Sequence, residues 1–380
     1  MEGKKKVVIL GSAYPLRGGG IATFNERLAQ AYTDNGFDTE IITFSLKYPS
    51  ILFPGKTQIS TEEPPKGLKI KVMVNSINPF NWIKVGRYIK KMRPDIVIVR
   101  YWIPFMGPCL GTIARIVRRN KHTKVEAIVD NILPHERNFL DTFLSSYFVR
   151  NVDGFITMSK SVLNDLKHFT STKPIAYTLH PLYDNFGTLI PQQQALQELH
   201  LDPNYSYVLF FGFIRDYKGL DLLIEAFADS KLRTMPVKLL VAGEFYVKED
   251  KYLQQISRLQ LEDKVVLHTR FIPNAQVSLY FSAAHLIAQP YKSATQSGVT
   301  QIAYHFEKPI VTTNVGGLAE IVSDGKVGFV VNPDSEEIAQ AIIRFFEENL
   351  YDSFHAAMQE EKKRFSWDVM VDTINKISLE

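Results

Sequence analysis

Phe210-Phe211-Gly212-Phe213-Ile214-Arg215-Asp216-Tyr217-Lys218-Gly219 is the stretch on which the reading of this 380-residue chain turns. Tyr207, Val208, Leu209, Phe210 and Phe211 are aromatic or branched, and predict a buried strand. Gly212 breaks it. Arg215 and Lys218 then stand three residues apart on a short connector. Gly219 leads into a helix with apolar residues at Leu220, Leu223, Ile224 and Phe227. Two cations are therefore expected at the carboxyl end of a parallel strand, beside a helix start, where open α/β sheets take ligands. A guanidinium fork and a point-charge ammonium together suit a diphosphate. The plainer alternative is two solvated surface charges.

Outward from that stretch, apolar runs and helical spacings alternate along the whole chain. Downstream, strands are expected at Val237–Ala242, Val265–Leu267, Leu286–Ala288, Ile310–Thr313 and Gly328–Val331. Upstream they are expected at Val7–Leu10, Glu40–Phe44, Ile70–Val74, Ile96–Val99, Val125–Val129, Gly154–Met158 and Ile175–Thr178. Repeated βα units imply parallel sheets covered on both faces. Residues 45–68 are rich in Pro, Gly, Lys and Ser and read as a long loop, a candidate flap. His180 to Gln194 reads as a hinge.

Length allows two domains, each with its own core. They are placed at 1–185 and 186–364, with a helical tail, 365–380, supplying Phe365, Trp367, Val369, Met370 and Ile374. Residues 1–185 carry 26 Lys and Arg against 15 Asp and Glu, whereas the remainder carries 18 against 25. A basic front half and an acidic back half suggest different partners. The single Cys109 excludes an internal disulfide framework and a thiolate zinc cluster, and fits a reducing cytoplasm. The Val7–Leu10 run is shorter than the roughly 7–15 residues of a signal-peptide core. Ile96 to Val117 is interrupted by Arg100, Pro104, Pro108 and Arg115, against a transmembrane reading.

Four further segments carry candidate chemistry. Gly18-Gly19-Gly20 opens a helix after the loop Gly11–Arg17, so the backbone can approach an anion closely; a tight turn is the alternative. The segment GSAYPLRGGG is not the G-x-G-x-x-G pattern, which argues against a dinucleotide-dependent oxidoreductase. Asp130, Asn131 and His135 follow the strand Val125–Val129. Ser297-Gly298-Val299 stands at a helix start whose free N–H groups suit phosphate, and the neighbouring Thr300 and Gln301 can hydrogen-bond hydroxyls. Gly243 ends the strand Val237–Ala242. Two basic helix faces, Lys84, Arg87 and Lys91, then Arg115, Arg118 and Arg119, suit either plain solvation or an anionic lipid surface. No nucleic-acid-binding motif accompanies them.

Strand, Gly, Arg-x-x-Lys-Gly, helix resembles the nucleotide-sugar half of the GT-B glycosyltransferases, specifically the retaining family 4. The resemblance covers most of the chain and is strongest over 205–335. It implies two Rossmann-like doubly wound domains facing a cleft, with the terminal helix crossing back to the first. It implies a sugar passed, with retention, from a UDP- or GDP-sugar to a glycan or lipid-linked acceptor, without a metal or other cofactor. Arg215 and Lys218 would stabilise the departing diphosphate. Gly19, Gly20, Gly243, Ser297, Gly298, Val299, Thr300 and Gln301 would line the donor. Asp130, Asn131 or His135 would face the transferred sugar. Gly316-Gly317-Leu318-Ala319-Glu320 matches the family's Gly-Gly-x-x-Glu, and first-turn dipole stabilisation explains the acid equally. The chain departs from the family where two glutamates usually stand: Thr295, Gln296, Ser297 and Gln301 occupy that region, and no acid follows until Glu307. That departure keeps open a non-catalytic relative that binds a nucleotide sugar without turnover. A cytoplasmic enzyme, with peripheral membrane contact through its basic faces, is the expectation.

Overall fold

The computed structural model describes residues 4–17, 20–49, 58–60, 63–133, 139–294 and 296–379. It resolves into two compact units, Met1–Pro181 with Phe365–Glu380, and Leu182–Arg364. Within the candidate flap at 45–68, residues 50–57, 61 and 62 lie outside the described residues, and so do Gly18, Gly19, Pro134, His135, Glu136 and Thr295.

The first unit is a seven-stranded sheet of β1 (Lys6–Leu10), β2 (Asp38–Leu46), β3 (Lys69–Asn75), β4 (Ile96–Tyr101), β5 (Lys124–Val129), β6 (Gly154–Thr157) and β7 (Ile175–Tyr177). Their spatial order is β3-β2-β1-β4-β5-β6-β7, with every pairing parallel. Val7 to Leu10 and all six residues of β4 are buried, because helices cover both faces of such a sheet. Helices α1 (Gly20–Asp34), α2 (Pro79–Met92), α3 (Gly107–Arg118) and α4 (Phe139–Arg150) fill the connections used below. Asn78 caps α2 by accepting from the Asn81 N–H, and Pro79 follows at the first turn, where its missing donor costs nothing.

The second unit holds β8 (Ser206–Phe211), β9 (Val237–Ala242), β10 (Val265–His268), β11 (Leu286–Gln289), β12 (Ile310–Thr313) and β13 (Gly328–Val331). The order is β10-β9-β8-β11-β12-β13, again wholly parallel. In both sheets the order reverses beside the first strand, between β1 and β4 and between β8 and β11. Such a reversal leaves a crevice outside the carboxyl ends of the strands.

The chain re-enters the first unit at Phe365. Trp367 packs on Phe24 with ring centroids 5.0 Å apart, and Arg27 lies over the Trp367 ring. Asn375 accepts from the Tyr32 hydroxyl. The aromatic tail is thus part of the first unit's core.

Candidate active site

Beyond β8 the chain keeps pairing with the segment after β9. Gly212 N–H donates to Ala242 O, Ile214 N–H to Glu244 O, and Tyr246 N–H to Ile214 O. The two backbones come so close at Gly243 that a Cβ there would meet the Gly212 carbonyl at 2.0 Å, and its φ of 150° also suits glycine. The connector then folds against the end of β11: Lys292 N–H donates to Tyr217 O, and a Cβ on Gly219 would strike Pro290 O at 1.8 Å. Arg215 to Gly219 is therefore pinned on both sides, at the reversal point between β8 and β11.

The charges on this connector are sorted. Asp216 is taken by Lys251 and Asp221 by Lys292. Arg215 and Lys218 have no carboxylate partner among the described residues. Exposed Arg215 lies 5.1 Å over the Tyr246 ring. Half-buried Lys218 lies 5.5 Å from the Tyr291 ring centroid, with its Nζ against bare Gly212, 3.1 Å from where a Cβ would stand. Burial pulls the Lys218 ammonium below the usual lysine range; nearby Arg215 adds to the effect and Tyr217 opposes it. A desolvated cation with no acid beside it is poised for an anion.

Ser297 and Gly298 stand across from it. Ser297 caps the Gly298–His305 helix, accepting from Val299 N–H at 3.2 Å. The same Oγ accepts from Gln289 Nε2 at 2.8 Å and lies 3.2 Å from the Tyr291 hydroxyl, while Thr300 donates to Gln289 Oε1. These side chains hold the end of β11 to the helix start, so any ligand there meets backbone N–H groups, not the Ser297 or Thr300 hydroxyl. Gly298 is bare because a Cβ would sit 2.7 Å from the Tyr183 ring. Gln301 is fully buried, and both of its side-chain amide atoms lack a partner among the described residues. Gln296 has the same two orphaned atoms. Each such buried group costs about 1–3 kcal/mol until something bonds to it. Glu320 lies in the first turn of the short Leu318–Ile321 helix.

The first unit treats charge differently. Asp130, directly after β5, accepts from Arg100 Nε at 2.7 Å and from Nη2 at 2.5 Å. Arg100 is buried inside β4 and stacks 3.9 Å from the Phe24 ring centroid. Burial raises the Asp130 carboxyl, and Arg100 and Lys47 oppose it. Lys47, just past β2, sits 4.9 Å over Trp102 and 5.3 Å over Tyr48, and burial draws it down to about 8. His180 lies edge-on to Phe24, donates from Nδ1 to Pro181 O and stays neutral, its pKa pushed to about 3 by burial. Asp130 thus arrives with a fixed partner, Asn131 adjoins it, and His135 and Gly19 lie outside the described residues. Gly20 opens α1. Sequence reading missed Arg100, Lys47 and His180 as members of one cluster. The one available signal was an arginine inside the most apolar strand.

Two parallel doubly wound sheets, the second with an anion-ready strand end, define the class: a GT-B, nucleotide-sugar-type architecture. The family models agree. "Glycosyl transferases group 1" matches residues 205–348, and "Glycosyltransferase Family 4" matches 18–181. The chain belongs to the GT-B glycosyltransferases of family 4 (group 1), whose members are of the retaining type. It is 28 % identical over 232 residues to a D-inositol 3-phosphate glycosyltransferase of Segniliparus rotundus, covering 59 % of this chain and 51 % of that protein. It is thus matched to only about half the length of that relative. A crystal structure of Anabaena Alr3699/HepE in complex with UDP superposes with a TM-score of 0.74 at 19 % identity, covering 98 % of each chain. Sucrose-phosphate synthase from Thermosynechococcus elongatus gives 0.72 at 16 %, with 98 % of each covered.

Proposed function

We propose that the protein transfers a sugar, with retention of configuration, from a nucleoside-diphosphate sugar to a glycan or lipid-linked acceptor. The observation that carries this is the pair Arg215 and Lys218. They are held at the end of β8 with every carboxylate of their own loop neutralised by another lysine. As the glycosidic bond to the donor breaks, negative charge grows on the diphosphate. Lys218 meets it as a point charge and Arg215 as a fork, aided by the Gly298 N–H at the helix start, since the Val299 N–H is taken by the Ser297 cap. The stabilisation grows as water is excluded, and Lys218 is already partly desolvated. Fixed cations in this role make a metal unnecessary. The orphaned amides of Gln296 and Gln301 give the donor's hydroxyls neutral partners where relatives use acids.

The acceptor is assigned to the first unit. Trp102 and Tyr48 offer flat apolar faces, Lys47 a cation, and Asp130, oriented by Arg100, an acceptor for sugar hydroxyls. Uracil is the first base to try, since the Anabaena protein of similar fold was solved in complex with UDP. The chain would work at the cytoplasmic side, where activated sugars are made.

The test is thermal unfolding against UDP, GDP, their sugars and NAD, with donor hydrolysis followed alongside. Stabilisation by one nucleotide sugar, with slow hydrolysis that survives EDTA, is expected. Stabilisation without hydrolysis, and with no transfer to any acceptor, points to the non-catalytic relative. Stabilisation by NAD alone overturns both.

A further inference from the structure

Helices α2 and α4 pack on either side of α3. The inner face of α2 buries Val85, Gly86 and Ile89, and Gly86 is bare because a Cβ would fall 2.9 Å from Ile116. Its outer face carries Phe80, Ile83, Lys84, Arg87 and Lys91, all exposed. On α4 the inner residues are Ser145, Phe148 and Val149, and the outer ones Phe139, Leu140 and Phe143. Phe80 is 85 % exposed and Phe139 90 %. All these large apolar side chains lie in the first two turns of their helices, at the same end of the helix layer, with exposed Ile77 just ahead of α2. Arg115 and Arg119 project at the far end of α3.

Scattered exposed apolar residues are ordinary, but a cluster at one end of one layer marks a contact surface. The charge says with what. The three helices contain seven Lys and Arg and a single acid, Asp141. Protein interfaces are depleted in lysine, whereas aromatic anchors beside a basic strip suit anionic headgroups over hydrocarbon. No helix among the described residues is long and apolar enough to cross a membrane.

We propose that the outward face of α2, α3 and α4 docks peripherally on an anionic bilayer, with Phe80, Phe139 and Phe143 entering the acyl boundary and Lys84, Arg87, Lys91, Arg115 and Arg119 on the headgroups. This deepens the lipid-linked part of the proposed acceptor and rests on that reading for its purpose, though docking is measured without turnover.

The full chain is floated with phosphatidylcholine vesicles, with and without phosphatidylglycerol, at low and high salt. Binding to the anionic vesicles alone, weakened by salt, is expected. The F80S/F139S double variant should bind roughly tenfold more weakly, with its melting temperature and its stabilisation by UDP unchanged. The K84Q/R87Q/K91Q variant should lose the salt dependence. Absence of binding to anionic vesicles, or equal binding by F80S/F139S, overturns the proposal. So does a wild type that dimerises through these phenylalanines and ignores vesicles, which would make the face a contact with a second copy. Failure of the donor reading shows separately, as loss of UDP protection while flotation persists.

Discussion

The two sheets put opposite kinds of charge at the carboxyl ends of their strands. At the end of β4 and just past β5, a buried guanidinium is closed by a carboxylate, Arg100 on Asp130. Past β8, the carboxylates are drawn off by Lys251 and Lys292, and two cations are left without one. The first arrangement is self-sufficient; the second is complete only with a ligand. The closed pair supports the first unit's fold and the open pair does not support the second's: charge removal should hurt the fold in one and help it in the other.

The largest expected effect follows from breaking the closed pair. Asp130→Ala strands the buried Arg100 guanidinium and should cost about 4 kcal/mol of first-unit stability, read by denaturant unfolding. Arg100→Met/Asp130→Leu should recover most of that. If Asp130→Ala melts like wild type, the pair is not structural. Next comes Lys218→Met, which should cut turnover by about 10²–10³-fold while raising the melting temperature, since a desolvated unpaired cation is gone. A variant that loses both activity and stability would show Lys218 to be a structural group.

A third change sharpens the contrast within the first unit. Glu126 on β5 is buried, its Oε2 has no partner among the described residues, and burial pushes its pKa to about 8, reinforced by Asp153. The folded state therefore holds a proton that the unfolded chain releases near the ordinary glutamate value of 4.5. Stability contributed by that proton is present at low pH and lost as pH rises toward 8. Glu126→Gln should be more stable than wild type at pH 8, by about 2 kcal/mol after allowing for local relaxation, and the gap should close below the unfolded pKa. A pH-independent difference would mean the carboxyl is not the cause. Smallest is Arg215→Gln. Arg215 is exposed and screened, so about a tenfold loss of turnover is expected, with no change in melting temperature; a loss equal to that of Lys218→Met would make the two cations equivalent.

Much of this was legible because parallel strands buried on both faces leave unbroken apolar runs. Ile96–Val99, Val125–Val129 and Tyr207–Phe211 read as strands for that reason, and each lies inside an observed strand. The glycines at 212, 219 and 243 also announced themselves, although the sequence could not say that two of them clear a path for another segment's carbonyl. Ser297 and Thr300 looked like ligand-facing hydroxyls; the structure spends them on Gln289, because a polar strand end buried against a helix start must be satisfied from within.

By itself the chain's order of residues determined the alternation of strands and helices and the presence of Arg215 and Lys218 at one strand end, since both follow from local pattern and near neighbours. Which charges remain open was decided only by tertiary structure. Asp130 finds Arg100 thirty residues away and Asp216 finds Lys251 thirty-five away, and electrostatic compensation depends on distance in space, which no local spacing records.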